Sequence, residues 1–234
     1  MEKSIINIKA KDKINNIPTI IYGIEKTSAK GIVIISHGFG EHAARYEEFA
    51  MFLTKANYIC VSFEQRGHGN LFEDSAKKRK EKQGIIPNYQ TFLDDIDMVV
   101  TEMKLRFPRI PLVLFGHSMG GNIALNYLLK HNQNDFSCAI LESPWLGLYK
   151  EVNPVVVYIA KLFSSVSTKM AIINKLSLDE VTGDKEKAKE IETDPLYHNR
   201  ISFRMFSGIK DGCDTALNNA SRLSIPIYLA AAKN

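Results

Sequence analysis

The chain has 234 residues, of which 45% are hydrophobic and 24% charged, and its formal net charge is +4. This composition is ordinary for a globular protein that buries a core without disulfide staples. The charge is too small to indicate a nucleic-acid partner, and no run of about 18 apolar residues predicts a membrane span.

The cysteines and the chain start favour a reducing compartment. Cys60, Cys138 and Cys213 have neither CxxC nor zinc-site spacing, and the first two lie in apolar segments where cysteine acts as a small hydrophobe. The N-terminal residues lack the apolar region of a signal peptide, so we expect a cytoplasmic protein. The basic run KKRKEK at residues 77–82 can contact anionic lipid headgroups, but we interpret it as a solvated surface loop.

Apolar segments, taken in chain order, alternate between strand and helix patterns. Residues 5–10 and 19–24 predict a hairpin, and short apolar runs predict further strands at 31–36, 58–63, 112–115, 138–141 and 226–231. Helical spacing predicts helices at 41–56, 88–107 and 119–131, with Asn88 capping the second. This alternation indicates an α/β fold, in which helices cover both faces of a mostly parallel sheet.

One region interrupts the alternation. Residues 144–193 contain an apolar stretch at 155–166, a second segment at 170–178 and a charged stretch at 184–192. We interpret this region as a helical cap inserted between a core at 1–143 and a return to the core at 194–234, because it follows a strand end where such folds place their sites. The alternative is that the apolar stretch packs on the sheet as ordinary core.

A glycine-flanked serine follows the strand at 112–115, in the order Gly116-His117-Ser118-Met119-Gly120. Such glycines leave room for a tight, strained turn that exposes the serine hydroxyl. The N–H of Met119, at the start of the next helix, would then face the oxyanion formed during acyl transfer. The pattern predicts Ser118 as a nucleophile, against the alternative of a glycine turn with an incidental serine.

A second motif, His37-Gly38-Phe39, follows the strand at 31–36. An oxyanion hole takes donors from two loops, and the N–H of Phe39 can supply the second. We interpret His37 as stabilising this loop and His42 as lying near the pocket rim, because His-x4-His without carboxylate or cysteine partners is a weak metal pattern. We expect neither a metal nor another cofactor, since no GxGxxG follows the first strand and no Walker GK[ST] is present.

A third motif, Glu64-Gln65-Arg66-Gly67-His68-Gly69, indicates a rigid hydrogen-bonded loop, and nothing in the sequence places His68 opposite the serine. Together HGFGEHAARY, the RGHG loop, GHSMGG and the strand-end SPWL resemble the α/β-hydrolase fold. Within that fold they are similar to the monoacylglycerol lipase and lysophospholipase branch of the S33 serine aminopeptidase type.

The resemblance runs from about Gly31 to Asn234, with the cap in the expected position and a family-like return to the core at residues 194–196. It implies a serine esterase that hydrolyses single-chain acyl esters, such as monoacylglycerol or lysophospholipid, through an acyl-enzyme on Ser118. It also implies oxyanion donors at Phe39 and Met119. Members of this family often begin the RGHG loop with Asp, where this chain has Glu64.

The acid and base of the triad are expected after the serine, in that order. By the family's spacing the acid would come directly after Asn234 and the histidine later, so we expect the C-terminal part of the fold to be missing. Such a loss exposes apolar surface, so we expect the chain to be either marginally stable as a monomer or associated in a dimer that covers this surface. We do not expect side chains within the chain to replace this acid and base. His117 is excluded because side chains of neighbouring residues in a strand diverge. The other candidates are His131, His198, Asp194, Asp211 and Asp214.

The leading interpretation is therefore a serine hydrolase of a small acyl ester, with an apolar cap that accepts the acyl chain and touches a membrane surface transiently. One alternative is a catalytically incomplete acyl-binding homologue. Another is the same enzyme class acting on a different small ester, a thioester or a peptide.

Overall fold

A seven-stranded sheet forms the centre of the computed structural model, which describes residues 2–26, 28–69, 80–147, 163, 170–173 and 182–231. The predicted apolar stretch at 155–166, apart from residue 163, and the first three residues of the basic run lie outside the described residues. The strands are β1 (Lys3–Lys9), β2 (Asn16–Tyr22), β3 (Ile32–Ser36), β4 (Ile59–Phe63), β5 (Leu112–His117), β6 (Phe136–Glu142), β7 (Ala171–Ile173), β8 (Arg200–Ser202) and β9 (Ile227–Ala230). The helices are α1 (Glu47–Lys55), α2 (Gln90–Arg106), α3 (Met119–Lys130), α4 (Lys185–Thr193) and α5 (Phe203–Asn219).

The strand order is β1-β2-β4-β3-β5-β6-β9. β1 pairs with β2 and β2 with β4 in antiparallel fashion, whereas β4, β3, β5, β6 and β9 run parallel. Because β5 lies between β3 and β6, the loops that follow these three strands meet at one edge of the sheet. The predicted fold class, a mostly parallel sheet with helices on both faces, is confirmed.

The two faces of the sheet bury different side chains. Ile34 and Leu114 belong to the core beneath α2, α3 and α5, whereas Ile35 and Phe115 pack on the α1 side. Continuous apolar runs produce this arrangement, since a parallel strand covered on both faces has no solvent-facing positions. Asn88 does cap the start of α2, because its Oδ1 accepts the N–H of Thr91 at 3.1 Å.

The helical interpretation of residues 170–178 is wrong where the structure describes them. Ala171–Ile173 form strand β7, which pairs antiparallel with β8. Adjacent β-branched residues, Ile172 and Ile173, favour an extended backbone over a helix. The charged stretch at 184–192 does contain a helix, α4, and Asp184 caps it by accepting the N–H of Glu186 and of Lys187.

Helix α5 was not predicted from the sequence, although its buried residues follow a spacing of three or four residues. They include Met205, Ile209, Cys213 and Ala216. Its first turn is capped by Ser202, whose Oγ accepts the N–H of Met205 at 3.1 Å. α5 packs on α3, the helix that follows the predicted nucleophile.

Strand β9 lies at one edge of the described sheet and pairs with β6 only. Tyr228 is 67% exposed and Leu229 60% exposed. No helix among the residues placed here has both the length and the apolar character needed to cross a bilayer.

Candidate active site

Ser118 occupies the turn between β5 and α3 with backbone angles that L-residues rarely adopt, φ 50° and ψ −117°. Its N–H donates to the carbonyl oxygen of Glu142 at 3.0 Å. Its own carbonyl oxygen accepts the N–H groups of Gly121, Asn122 and Trp145 at 3.0, 3.2 and 2.8 Å. These bonds hold a strained residue in one conformation while the side chain stays partly exposed.

The glycines of the turn are required by close backbone approach. A Cβ on Gly120 would overlap the carbonyl oxygens of Ser36 and His37, at the end of β3. A Cβ on Gly116 would lie 2.7 Å from the carbonyl oxygen of Gly120. The start of α3 therefore sits directly against the loop that follows β3.

The two predicted oxyanion donors lie on these adjoining segments. Met119 is the first residue of α3, so its N–H has no partner within the helix. The N–H of Phe39 has no backbone acceptor among the described residues, whereas that of its neighbour Gly38 donates to Glu41 Oε2 at 2.9 Å. The Phe39 ring lies edge-on to three rings, those of His68 at 5.8 Å, His198 at 5.7 Å and Trp145 at 6.4 Å.

Three buried histidines surround this loop: His37, His68 and His198. Burial lowers the pKa of His37 and of His198 to about 4, and it places the pKa of His68 well below the ordinary value. All three are therefore neutral at pH 7.

Hydrogen bonds define the roles of two of these rings. His37 Nδ1 donates to the Gly38 carbonyl oxygen at 2.8 Å, and its Nε2 accepts the N–H of Gln65 at 3.2 Å. His198 Nε2 donates to the Gly67 carbonyl oxygen at 2.8 Å. The His37 ring thus connects the loop after β3 to the RGHG loop, and the His198 ring connects the chain that returns to the core to the same RGHG loop.

The Glu64 carboxylate at the start of the RGHG loop makes a structural contact. Its Oε1 accepts the N–H of Ala43 at 3.2 Å, and the side chain is buried. The acidic group at the start of the RGHG loop therefore holds the segment that follows Phe39.

A histidine–carboxylate contact that was not predicted lies beside the nucleophile. His117 Nδ1 pairs with Glu142 Oε2, and Glu142 Oε1 accepts the hydroxyl of Ser143 at 3.0 Å. Burial lowers the pKa of His117, but the bond to Glu142 and the charge of Glu41 outweigh it, so the pKa is raised. The bond from His117 lowers the pKa of Glu142. The contact follows from strand register, because the strands at 112–117 and 136–142 are neighbours and both end at these residues, so no signal for it was available in the sequence alone.

An open groove of about 780 Å³ borders this pair. His42 lies in its wall, and its Nε2 is 2.7 Å from Asp194 Oδ2, with Arg45 Nη1 3.8 Å from the same oxygen. The other lining side chains include Tyr46, Phe49, Phe52, Phe115, His117 and Glu142. The loop after β3 and the return segment thus form one wall together.

The other downstream candidates lie elsewhere. His131 follows α3 and stacks on Tyr127 with ring centroids 4.1 Å apart. Asp211 and Asp214 belong to α5, where Asp214 pairs with Lys210 at 3.4 Å. Among the described residues, no histidine hydrogen-bonds the Ser118 hydroxyl.

Asn122, one turn into α3, connects the elbow to the rest of the core. Its Nδ2 donates to the carbonyl oxygens of Trp145 at 2.9 Å and Ile209 at 3.3 Å, and lies 3.3 Å from Cys213 Sγ. Its Oδ1 accepts the Tyr89 hydroxyl at 2.6 Å. One side chain therefore links α3 to α2, α5 and the segment that follows β6.

The comparisons with known proteins agree with this arrangement. The sequence profile of the family described as "Serine aminopeptidase, S33" matches residues 27–234. Monoacylglycerol lipase of Mycolicibacterium smegmatis is 29% identical over 182 residues, which are 77% of this chain and 61% of that protein. A putative monoglyceride lipase of Schizosaccharomyces pombe is 26% identical over 84% of this chain and 51% of its own length. The chain thus spans about half to three fifths of the length of these two relatives.

Solved structures show the same fold at lower identity. Monoacylglycerol lipase of Paleococcus ferrophilus superposes with a TM-score of 0.77 at 22% identity, covering 99% of this chain and 77% of that one. A soluble variant of monoglyceride lipase from Saccharomyces cerevisiae, in complex with a substrate analogue, gives 0.75 at 24% identity, covering 92% and 73%. The chain is a member of the S33 serine aminopeptidase family of α/β-hydrolases, in its monoacylglycerol lipase-like group.

Proposed function

We propose that this protein is a serine hydrolase of single-chain acyl esters that works through an acyl-enzyme on Ser118. The observation that carries the proposal is the strained, partly exposed Ser118 at a strand–helix turn, directly beside the loop that bears Phe39. A strained turn of this kind presents a nucleophile above a sheet, and nearby backbone N–H groups stabilise the oxyanion.

The reaction has two steps. Ser118 Oγ loses its proton to a base and bonds to the ester carbonyl carbon, and the alcohol leaves with a proton. Water then attacks the acyl-enzyme, which releases the fatty acid and restores the hydroxyl. We assign the N–H groups of Phe39 and Met119 to the oxyanion in both steps, with Gly116 and Gly120 permitting the turn and His37 and Gly38 shaping the loop.

The lipid substrate class is supported by the relatives, several of which are named monoacylglycerol or monoglyceride lipases and one a phospholipase. We therefore propose monoacylglycerol as the leading substrate class and lysophospholipid as the second. The acyl-accepting role and the transient membrane contact expected of the cap concern mostly residues outside the described part of the chain.

Hydrolysis assays with matched variants test the proposal. The purified protein is given 1-monooleoylglycerol, lysophosphatidylcholine, a p-nitrophenyl ester, an acyl thioester and an aminoacyl amide, and fatty acid or chromophore release is measured. We expect release from the glycerol ester, loss of release in Ser118→Ala, and labelling of Ser118 by a fluorophosphonate. Undiminished release by Ser118→Ala would refute the assignment, and fatty-acid binding without labelling would support an acyl-binding protein instead.

We also infer that two copies associate through the outer edge of β9. An edge strand presents unpaired backbone groups, and Tyr228 and Leu229 add exposed apolar surface there. Light scattering of the purified protein tests this inference, and a monomer at high micromolar concentration would refute it.

A further inference from the structure

We propose that the His117–Glu142 pair positions the oxyanion loop, so that the loop bearing Phe39 is held in place by a side chain adjacent to the nucleophile. The inference rests on the proposed function, because it concerns the geometry of that same site. His117 is a positioning residue in this scheme, and it acts through the backbone of Gly38.

Register places the two side chains together. His117 is the last residue of β5, and Glu142, the last residue of β6, is its partner across the parallel pair. Residues at paired positions of neighbouring strands present their side chains to the same face of the sheet. The carboxylate therefore meets the imidazole at Nδ1 and fixes the plane of the ring.

The fixed ring packs against the oxyanion loop. A Cβ on Gly38 would lie 2.8 Å from His117 Cδ2, so the ring fills the space directly above this backbone. Gly38 immediately precedes Phe39, whose N–H is the proposed donor. A tilt or withdrawal of the ring would free this peptide to move.

A second carboxylate holds the same peptide from the loop's own side. Glu41 Oε2 accepts the N–H of Gly38 and the hydroxyl of Tyr46, each at 2.9 Å. The negative charges of Glu41 and Glu142 both raise the pKa of the His117 ring. The carboxylates that act on His117 are thus Glu142 from β6 and Glu41 from the loop after β3. In the same groove, Arg45 lies 3.7 Å from Glu41 and 3.8 Å from Asp194, and Asp194 also pairs with His42.

The pair contributes little to the core, so its substitution tests position and not folding. The side chains of His117 and Glu142 are 29% and 42% exposed and line the groove.

The positive charge of His117 attracts the carboxylates of Glu142 and Glu41. This attraction is complete below the pKa of His117 and is lost as the pH rises through it.

The first experiment needs no turnover. Imidazole and amide NMR signals are followed from pH 5 to 9 in the wild type and in Glu142→Gln. We expect the amide shifts of Gly38 and Phe39 to follow the titration of His117, and Glu142→Gln to move both to lower pH together. The matched control is Asp97→Asn, which removes the carboxylate 4.0 Å from the distant His131 and should leave both amide curves unchanged. Amide shifts that ignore the titration of His117 would overturn the inference.

The second experiment uses hydrolysis of 1-monooleoylglycerol. We expect Glu142→Gln and His117→Gln to lower kcat about tenfold with KM nearly unchanged, since a misplaced oxyanion donor acts on the transition state. We also expect the fall in kcat at rising pH to begin at lower pH in Glu142→Gln. Unchanged kcat and pH profile would overturn the inference, whereas hydrolysis that survives in Ser118→Ala would overturn the proposed function and leave the NMR result standing.

Discussion

Two parallel hydrogen bonds join Arg66 of the RGHG loop to Asp95 of α2, from Nε to Oδ2 at 2.8 Å and from Nη2 to Oδ1 at 2.9 Å. Asp95 is fully buried, and the Arg66 side chain is 14% exposed. Burial raises the pKa of Asp95 to about 6, against the opposing effect of Arg66. The loop that supports the histidines is thus attached to the core by a desolvated ion pair.

Arg66→Ala should destabilise the fold strongly, because it leaves the buried carboxylate without a cation. Breaking such a pair costs about 3 to 5 kcal/mol. The control is Arg106→Ala, whose partner Glu102 lies at the surface, and this change should cost less than about 1 kcal/mol. Urea unfolding at pH 7.5 compares them, and similar losses from both would contradict the prediction.

Gly120→Ala should also destabilise, since its Cβ would overlap two backbone carbonyl oxygens that cannot rotate away. We expect a loss of about 1 to 3 kcal/mol, the range found for overpacking, together with loss of hydrolysis. Gly183→Ala is the matched control, because no heavy atom lies within 4 Å of its added methyl group. Thermal unfolding measures both variants, and an unaffected Gly120→Ala protein would show that the elbow is not packed as described.

Ser118→Gly should be more stable than Ser118→Ala. Both variants lack the hydroxyl, but only glycine adopts φ 50° and ψ −117° without strain. The strain at such a residue is about 1 to 3 kcal/mol, and the greater freedom of unfolded glycine offsets part of it. Urea midpoints of the two variants give the difference, and a more stable alanine variant would contradict the strained turn.

Acid should destabilise the protein between about pH 6.5 and 4 through the buried histidines. In the unfolded chain His198 takes up a proton near pH 6.5, whereas the folded protein resists protonation until about pH 4. Stability from this group is therefore complete above pH 6.5 and is lost as the pH falls. His198→Gln should reduce the drop in unfolding free energy between pH 7.5 and 5 by about 1 to 2 kcal/mol.

The control for this change is His131→Gln, since the His131 side chain is 25% exposed. Urea unfolding is measured at both pH values for each variant and for the wild type. An equal drop in all three proteins would show that His198 does not carry the effect.

Leu229→Lys should weaken self-association through β9. A lysine on an edge strand opposes pairing with another strand, and the change removes an exposed apolar side chain. We expect the dimer dissociation constant to rise about tenfold. Leu105→Lys, on α2 and 73% exposed, is the control that should leave it unchanged in analytical ultracentrifugation.

The sheet and its main helices could be predicted because their apolar periodicity is local. The runs at 31–36 and 112–115 and the helical spacing at 88–107 appear in the structure with boundaries shifted by two residues at most. The strand at Ala171–Ile173 could not be predicted, since three residues give no period and its partner lies about 30 residues later. The contact between His117 and Glu142 depends on strand register, which the sequence of either strand alone does not contain.

Asn122 has a consequence for how this protein can change over evolution. Its amide oxygen and its two amide hydrogens bind partners from three separate segments. One of these partners is the carbonyl oxygen of Trp145, and the N–H of Trp145 in turn donates to the carbonyl oxygen of Ser118. Helix α5 therefore cannot be re-packed or shifted without disturbing the serine turn. Substitutions that adapt thermal tolerance in α5 and substitutions that adapt reactivity at the elbow would have to arise in compatible combinations.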